Sequence, residues 1–183
     1  MRHDNFLMTF LYLLLFLFLF TAAYAGYRGA PWVPTRSADI SQALAFVEGR
    51  SFRTAIDLGC GTGSLLFALA QRRSDLILHG YEVSLAPLLF ACIRKYLSPK
   101  RYKNIHLHWK NLYSVDVSSA DLIFVFMMPE SHTRIARTVL CRATSDALVL
   151  FEAWAPVNFS PRRTLQNPGC LPLHIYSGSQ FRT

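Results

Sequence analysis

The chain opens on an uninterrupted apolar run. From Phe6 to Ala25 the sequence FLMTFLYLLLFLFLFTAAYA carries no charge, and as a helix it would extend about 30 Å, the thickness of a bilayer's hydrocarbon core. Residues 1–27 are therefore expected to form an N-terminal membrane anchor. A secretory signal peptide is the alternative, with Arg2 as its basic region and Ala23-Tyr24-Ala25 as a small-x-small cleavage pattern. The apolar region is longer than the ~7–15 residues usual for such peptides, which favours the anchor. The Gly- and Pro-punctuated stretch that follows predicts a linker over residues 28–36. Behind Ser37, Ile40, Ala43, Leu44 and Val47 recur at helical spacing, and Gly49 closes that helix.

Strand-length apolar runs then alternate with helical patterns. Strands are expected at Thr54–Asp57, Leu76–Tyr81, Ile105–Trp109, Leu122–Phe126 and Ala147–Glu152, with a last one near Leu173–Tyr176. Helices are expected at Leu65–Gln71, after a Ser84 cap, and at His132–Leu140. In the helix after Ser84, Leu85, Leu88, Leu89, Cys92 and Tyr96 share a face from which Arg94 and Lys95 are excluded, so that face is expected to meet the core. Such β-α alternation predicts an α/β fold: one domain over residues 37–183, with a doubly wound, mostly parallel Rossmann-like sheet covered on both faces. A chain of 183 residues, 52% of them hydrophobic, suits one full core.

The net charge of +8 lies after the apolar run, because Arg2 and Asp4 cancel. Lys100, Arg101 and Lys103 cluster in SPKRYKN, and Arg162-Arg163 form a second patch. Solvated loops are the ordinary reading of such runs. Beside a bilayer, each surface cation would instead gain ~1 kcal/mol against anionic lipid. Arg28 and Arg36, following the apolar run, bias the domain toward the cytoplasmic side. No nucleic-acid-binding module accompanies the charge, so no nucleic-acid partner is expected. Cys60, Cys92, Cys141 and Cys170 are too widely spaced for a zinc pair. No metal site is expected; Cys92 and Cys141 read as small core residues. A disulfide framework stays open for an exported chain, although Cys60 inside a glycine turn suits a reduced compartment.

The chemistry centres on AIDLGCGTGSLLFALA, Ala55 to Ala70, where a strand runs into glycines and then a helix. In such sheets ligands bind beyond the carboxyl ends of the strands, where glycines let the backbone turn tightly and approach closely. A P-loop would need a lysine after its last glycine, and Ser64 follows Gly63. A dinucleotide site would need G-x-G-x-x-G, and Ser64 stands where its last glycine belongs, which weakens that reading. The segment DLGCGTG resembles the first motif of the class I S-adenosylmethionine (SAM)-dependent methyltransferases, whose fold is the same sheet. The resemblance implies SAM as cofactor, with Asp57, Gly59, Cys60, Gly61 and Gly63 around it and its carboxylate near the positive end of the helix from Ser64. Glu82, ending the next strand, is placed to accept from both ribose hydroxyls. The family's adenine-contacting acid falls in HWKNLYS, on Asn111 beside Leu112; asparagine's carbonyl can accept the same bond, and Asp116 is the alternative.

PWVPT before the first domain helix and VFMMPES after the fourth strand, together with the apolar N-terminus, resemble the small protein lysine methyltransferases related to the ATP synthase c-subunit lysine N-methyltransferase. Over about Pro31 to Glu152, that resemblance implies methylation of a lysine in a membrane protein. It also implies a substrate channel drawn from Trp32, Pro34, Phe126 and Pro129; Trp154 would add a wall. Apolar packing competes for Met127 and Met128, and interfacial anchoring for Trp32. No catalytic base is assigned, since a dry channel beside a sulfonium lowers a lysine's pKa by desolvation and repulsion. His106 and His108 are expected to be exposed or packed. Methylation of a small or lipid-like molecule such as a quinone, and a non-catalytic SAM-binding assembly role, remain open at this point.

Overall fold

The computed structural model describes residues 2–27 and 35–182; within the first helix, the side chains at 6–16, 19, 20 and 23 are described. Helix α1 (Arg2–Tyr27) forms where the apolar run predicts it. Its described large apolar side chains are open, among them Phe6, Tyr12, Phe16 and Phe20. Among the described residues, which omit the side chains at 17, 18, 21 and 22, no helix is long and apolar enough to cross a membrane. The fold thus establishes an exposed apolar helix, and not the expected transmembrane span.

After α2 (Ser37–Val47) the alternation runs β1 (Thr54–Leu58), α3 (Ser64–Arg72), β2 (Ile77–Glu82), α4 (Leu85–Tyr96), β3 (Ile105–Trp109), β4 (Leu122–Val125), α5 (Pro129–Thr138), β5 (Leu148–Glu152), β6 (Arg163–Leu165) and β7 (Leu173–Ser177). The sheet has the order β3-β2-β1-β4-β5-β7-β6. The first five strands are parallel, and β7 runs antiparallel to both β5 and β6. The chain order therefore reverses between β1 and β4, which opens the crevice where ligands of such sheets bind.

Alternate strand residues feed two cores. Ala55, Leu78, Leu122, Phe124 and Leu150 pack under α2 and α3, while Ile56, Leu58, Ile123, Val125 and Phe151 pack against α5 and the turns around it. The second face is not covered throughout. Over β2 and β3, His79, Tyr81, His106 and His108 stack on one another on that face, with His106 exposed. These rings replace the expected helix cover, and His106 and His108 are exposed or packed as their alternation suggested.

Three local expectations change. The buried residues of α4 are Pro87, Leu88 and Ala91; Leu89, Cys92 and Tyr96 point outward, and Cys141 is only half-buried. The inner side of α4 is completed by charged stems: the Arg94 guanidinium lies 4.3 Å from the Phe67 ring centroid, and Lys95 Nζ donates to the Ile105 carbonyl. Helix α5 starts at Pro129, not His132, because proline suits a first helical position, and it stops at Thr138 before a short 3-10 turn, Leu140–Arg142. Strand β6 went unforeseen: its three residues, RTL, show no alternation and form the sheet edge. All four cysteines are free thiols, so no disulfide framework forms, and among the described residues no His/Cys/Asp/Glu cluster suits a metal.

Candidate active site

The site is built at the carboxyl ends of β1 and β2. Leaving β1, the chain passes Gly59 at φ 84°, Gly61 at φ 54° and Gly63 at φ 75°, left-handed conformations that a side chain resists. Space adds its own demand: a Cβ on Gly59 would lie 2.5 Å from Met127 Sδ, and one on Gly63 2.9 Å from the Phe67 ring. The amides of Gly59 and Cys60 both donate to the Tyr81 carbonyl, at 2.9 and 3.1 Å. Glu82 completes the join. Its Oε2 accepts from the Gly61 amide at 2.9 Å and its Oε1 from the Ser84 amide at 2.7 Å. One carboxylate thereby ties the glycine turn to the start of α4.

A cleft opens in front of this turn. Asp57, Gly59, Cys60 and Gly61 line its floor, Tyr81 to Val83 and Lys110 to Tyr113 one side, and Phe126 to Met128 with Trp154 the other. Of the residues expected at the cofactor, Asp57, Gly59, Cys60, Gly61, Glu82, Asn111 and Leu112 meet here; Phe126 and Trp154 join them. Gly63 sits behind the turn, where it admits the Phe67 ring. Pro129 begins α5 and is not among the lining residues. Trp32 and Pro34 lie outside the described residues; Thr35, just after them, touches the cleft. Asn111 Oδ1 accepts from the Tyr113 amide at 3.1 Å, which leaves a second lone pair for a ligand. Asp116 is exposed, its Oδ1 held by the Ser118 amide, and it does not line the cleft, whereas Asn111 does.

The electrostatics favour a cationic guest. Burial, and secondarily the Glu82 charge, push the Asp57 carboxyl up to about 7. A positive ligand group would oppose that shift by stabilising the carboxylate, whereas a pyrophosphate would meet two carboxyls at the point of closest backbone approach. Burial pushes the Cys60 thiol well up, which leaves it unreactive at neutral pH. Glu152, ending β5, is raised to about 8 by burial and then by Asp39 and Asp57, and its Oε1 has no hydrogen-bond partner among the described residues.

His132 escaped the sequence reading. It is fully buried, and its Nδ1 lies 2.7 Å from the Trp154 carbonyl while Nε2 accepts from the Met127 amide at 3.3 Å. Since a carbonyl only accepts, Nδ1 carries the proton, and the neutral ring ties together two segments of the same wall of the cleft. Burial, its largest influence, holds His132 below the usual histidine range. Nothing in PESHTR marks that role, because both partners are backbone groups brought close only by folding.

No protein-family model matches the chain. A curated relative, trans-aconitate 2-methyltransferase of Rhodococcus jostii, is 37% identical over 62 residues, which span 34% of this chain and 21% of the relative. An RNA methyltransferase from Salinibacter ruber, solved in complex with S-adenosyl-L-homocysteine, superposes with a TM-score of 0.70 at 16% identity, over 79% of this chain and 93% of that one. The rRNA methyltransferase aviRa from Streptomyces viridochromogenes gives 0.58 at 14% identity, over 83% and 89%. The fold is that of the class I SAM-dependent methyltransferases.

Proposed function

We propose that the chain is a SAM-dependent methyltransferase attached to a membrane through α1, with its domain on the cytoplasmic side, acting on a lysine of a membrane protein. The observation that carries the methyltransferase reading is Glu82. Fixed by two amides, it presents its remaining lone pairs at the mouth of a glycine turn, where a ribose would sit, with Asp57 below for a cationic ligand. The short relative and the solved structures support the same cofactor.

SAM supplies an activated methyl group on a sulfonium. The chain's residues have to hold the acceptor in line and keep water out. For lysine the obstacle is its proton: with an ordinary pKa near 10.4, the neutral amine costs about 4.6 kcal/mol at pH 7. Phe126, Met127, Met128 and Trp154 form the apolar side of the cleft and would lower that cost by desolvation. His132 holds Met127 and Trp154 at that wall and acts on the acceptor only through them. Attachment through α1 rests on its open apolar side chains, which water does not accommodate well over such a length.

RNA methylation is the second reading. It draws on the two solved RNA methyltransferases and on the stretch from Val83 to Val115, which holds six Lys/Arg and no acid. The test is incubation of the full chain with methyl-labelled SAM, its own membrane fraction and total RNA. Label on a membrane-protein band, sensitive to Glu82→Ala, supports the lysine reading. Label on RNA or in the lipid extract replaces the acceptor, and no label with intact SAM binding leaves a scaffold.

A further inference from the structure

The outer face of α4 carries the strongest unexplained feature of the molecule. Leu89, Phe90, Ile93, Tyr96 and Leu97 are 61%, 63%, 46%, 82% and 74% exposed. Their spacing, i, i+1, i+4, i+7, i+8, makes one continuous stripe opposite the buried Pro87, Leu88 and Ala91. A soluble helix rarely exposes so contiguous an apolar strip without a partner.

Two observations say what covers it. The first is charge. Lys100, Arg101 and Lys103 follow the helix directly and are exposed, and no Asp or Glu occurs from Val83 to Val115. The second is position: α1 lies against α4, which puts the apolar N-terminal helix beside the helix that carries the stripe. An apolar stripe edged by cations, beside an apolar helix, is the pattern of a helix lying in a headgroup layer. A surface for nucleic acid would pair the cations with stacking rings, and of the stripe's side chains three are aliphatic.

We propose that the outer face of α4 and the Lys100–Lys103 loop dock in the plane of an anionic bilayer, fixing the domain's orientation on the membrane. This rests on attachment through α1 and deepens it: α1 would hold the chain at the membrane, and α4 would set which side of the domain faces it.

The test separates the two. The full chain, with Cys141→Ser and Cys170→Ser, is labelled with a polarity-sensitive fluorophore at the exposed Cys92; Cys60 is buried and unreactive. It is reconstituted with vesicles of phosphatidylcholine alone or with added phosphatidylserine. Flotation reads attachment, and the probe reads α4. Expected is flotation with both vesicles, with a blue shift confined to the anionic ones, lost in molar salt as the surface attraction is screened. The Lys100→Gln/Arg101→Gln/Lys103→Gln variant should float, bind SAM normally and show no shift. Flotation with no shift, or an equal shift on both vesicles, overturns docking while leaving attachment. Failure to float overturns both. A shift without vesicles that grows with protein concentration, or one produced by added RNA, assigns the face to a second copy or to nucleic acid and also overturns the proposal.

Discussion

Helices α3 and α4 leave neighbouring parallel strands at the same end of the sheet, and their sequences, SLLFALAQR and LAPLLFACIRKY, are similarly rich in leucine. Their fates differ. α3 sinks Leu65, Leu66, Phe67, Leu69 and Ala70 into the core, flanked by α2, whereas α4 commits only Pro87, Leu88 and Ala91 and turns its bulkiest side chains outward. The turns before them differ as well. The acid ahead of α3, Asp57, is buried with its charge opposed, while the acid ahead of α4, Glu82, is satisfied by two amides. An apolar helix face therefore announces burial without saying whether protein or lipid provides it.

The contrast is open to direct attack. Phe67 is fully buried and packs edge-on against Tyr102 at 4.7 Å. Phe67→Ala should destabilise the domain by about 3–5 kcal/mol in urea unfolding. Gly63→Ala, at a left-handed φ and against that same ring, should cost about 1–3 kcal/mol in the same assay.

The two acids sharpen the comparison through pH. Because the folded Asp57 pKa of about 7 lies above its ordinary value of 3.8, the folded state holds the extra proton. Its contribution to stability is present at low pH and lost as pH rises through about 7. Glu152, raised to about 8, acts in the same direction. The ligand-free protein should therefore lose Tm progressively from about pH 4, where the unfolded carboxyls ionise, to about 8, and Asp57→Asn should flatten the curve. SAM should bind more tightly in calorimetry as pH rises through about 7, where the Asp57 carboxylate forms. His132 has the opposite sign: its folded pKa is depressed, so its contribution is present above about 6.5 and is lost as pH falls from there toward the lower folded value, where the unfolded ring takes a proton that the folded one refuses. Phe90→Ala should move the unfolding free energy least, within about 0.5 kcal/mol. A loss there as large as that of Phe67→Ala would erase the distinction between the two helices.

The frame of the fold was legible because parallel strands are apolar on both sides and their helices carry strong periodicity. The glycine turn was legible because left-handed glycines leave a mark in sequence. So was Glu82, at a strand end just before a helix. What stayed hidden depended on contacts distant in sequence. His132 serves two backbone groups, β6 pairs at an edge without a pattern, and the orientation of α4 follows from its place beside β3 and the charged stems of Arg94 and Lys95. Periodicity marked one face of α4 for the core, and of that face Leu88 is buried while Leu89, Cys92 and Tyr96 turn outward.

The double acceptance by Glu82 has a practical consequence for mutagenesis of this protein. Glutamine matches glutamate in shape, but its side chain offers one oxygen and one NH2 group. Here both carboxylate oxygens face backbone N–H groups. Whichever way the amide is flipped, one donor would confront another, so Glu82→Gln would splay the glycine turn from α4 as well as remove a charge. The customary isosteric control would report a structural break at this position, and aspartate, shorter but still a two-oxygen acceptor, is the more informative replacement.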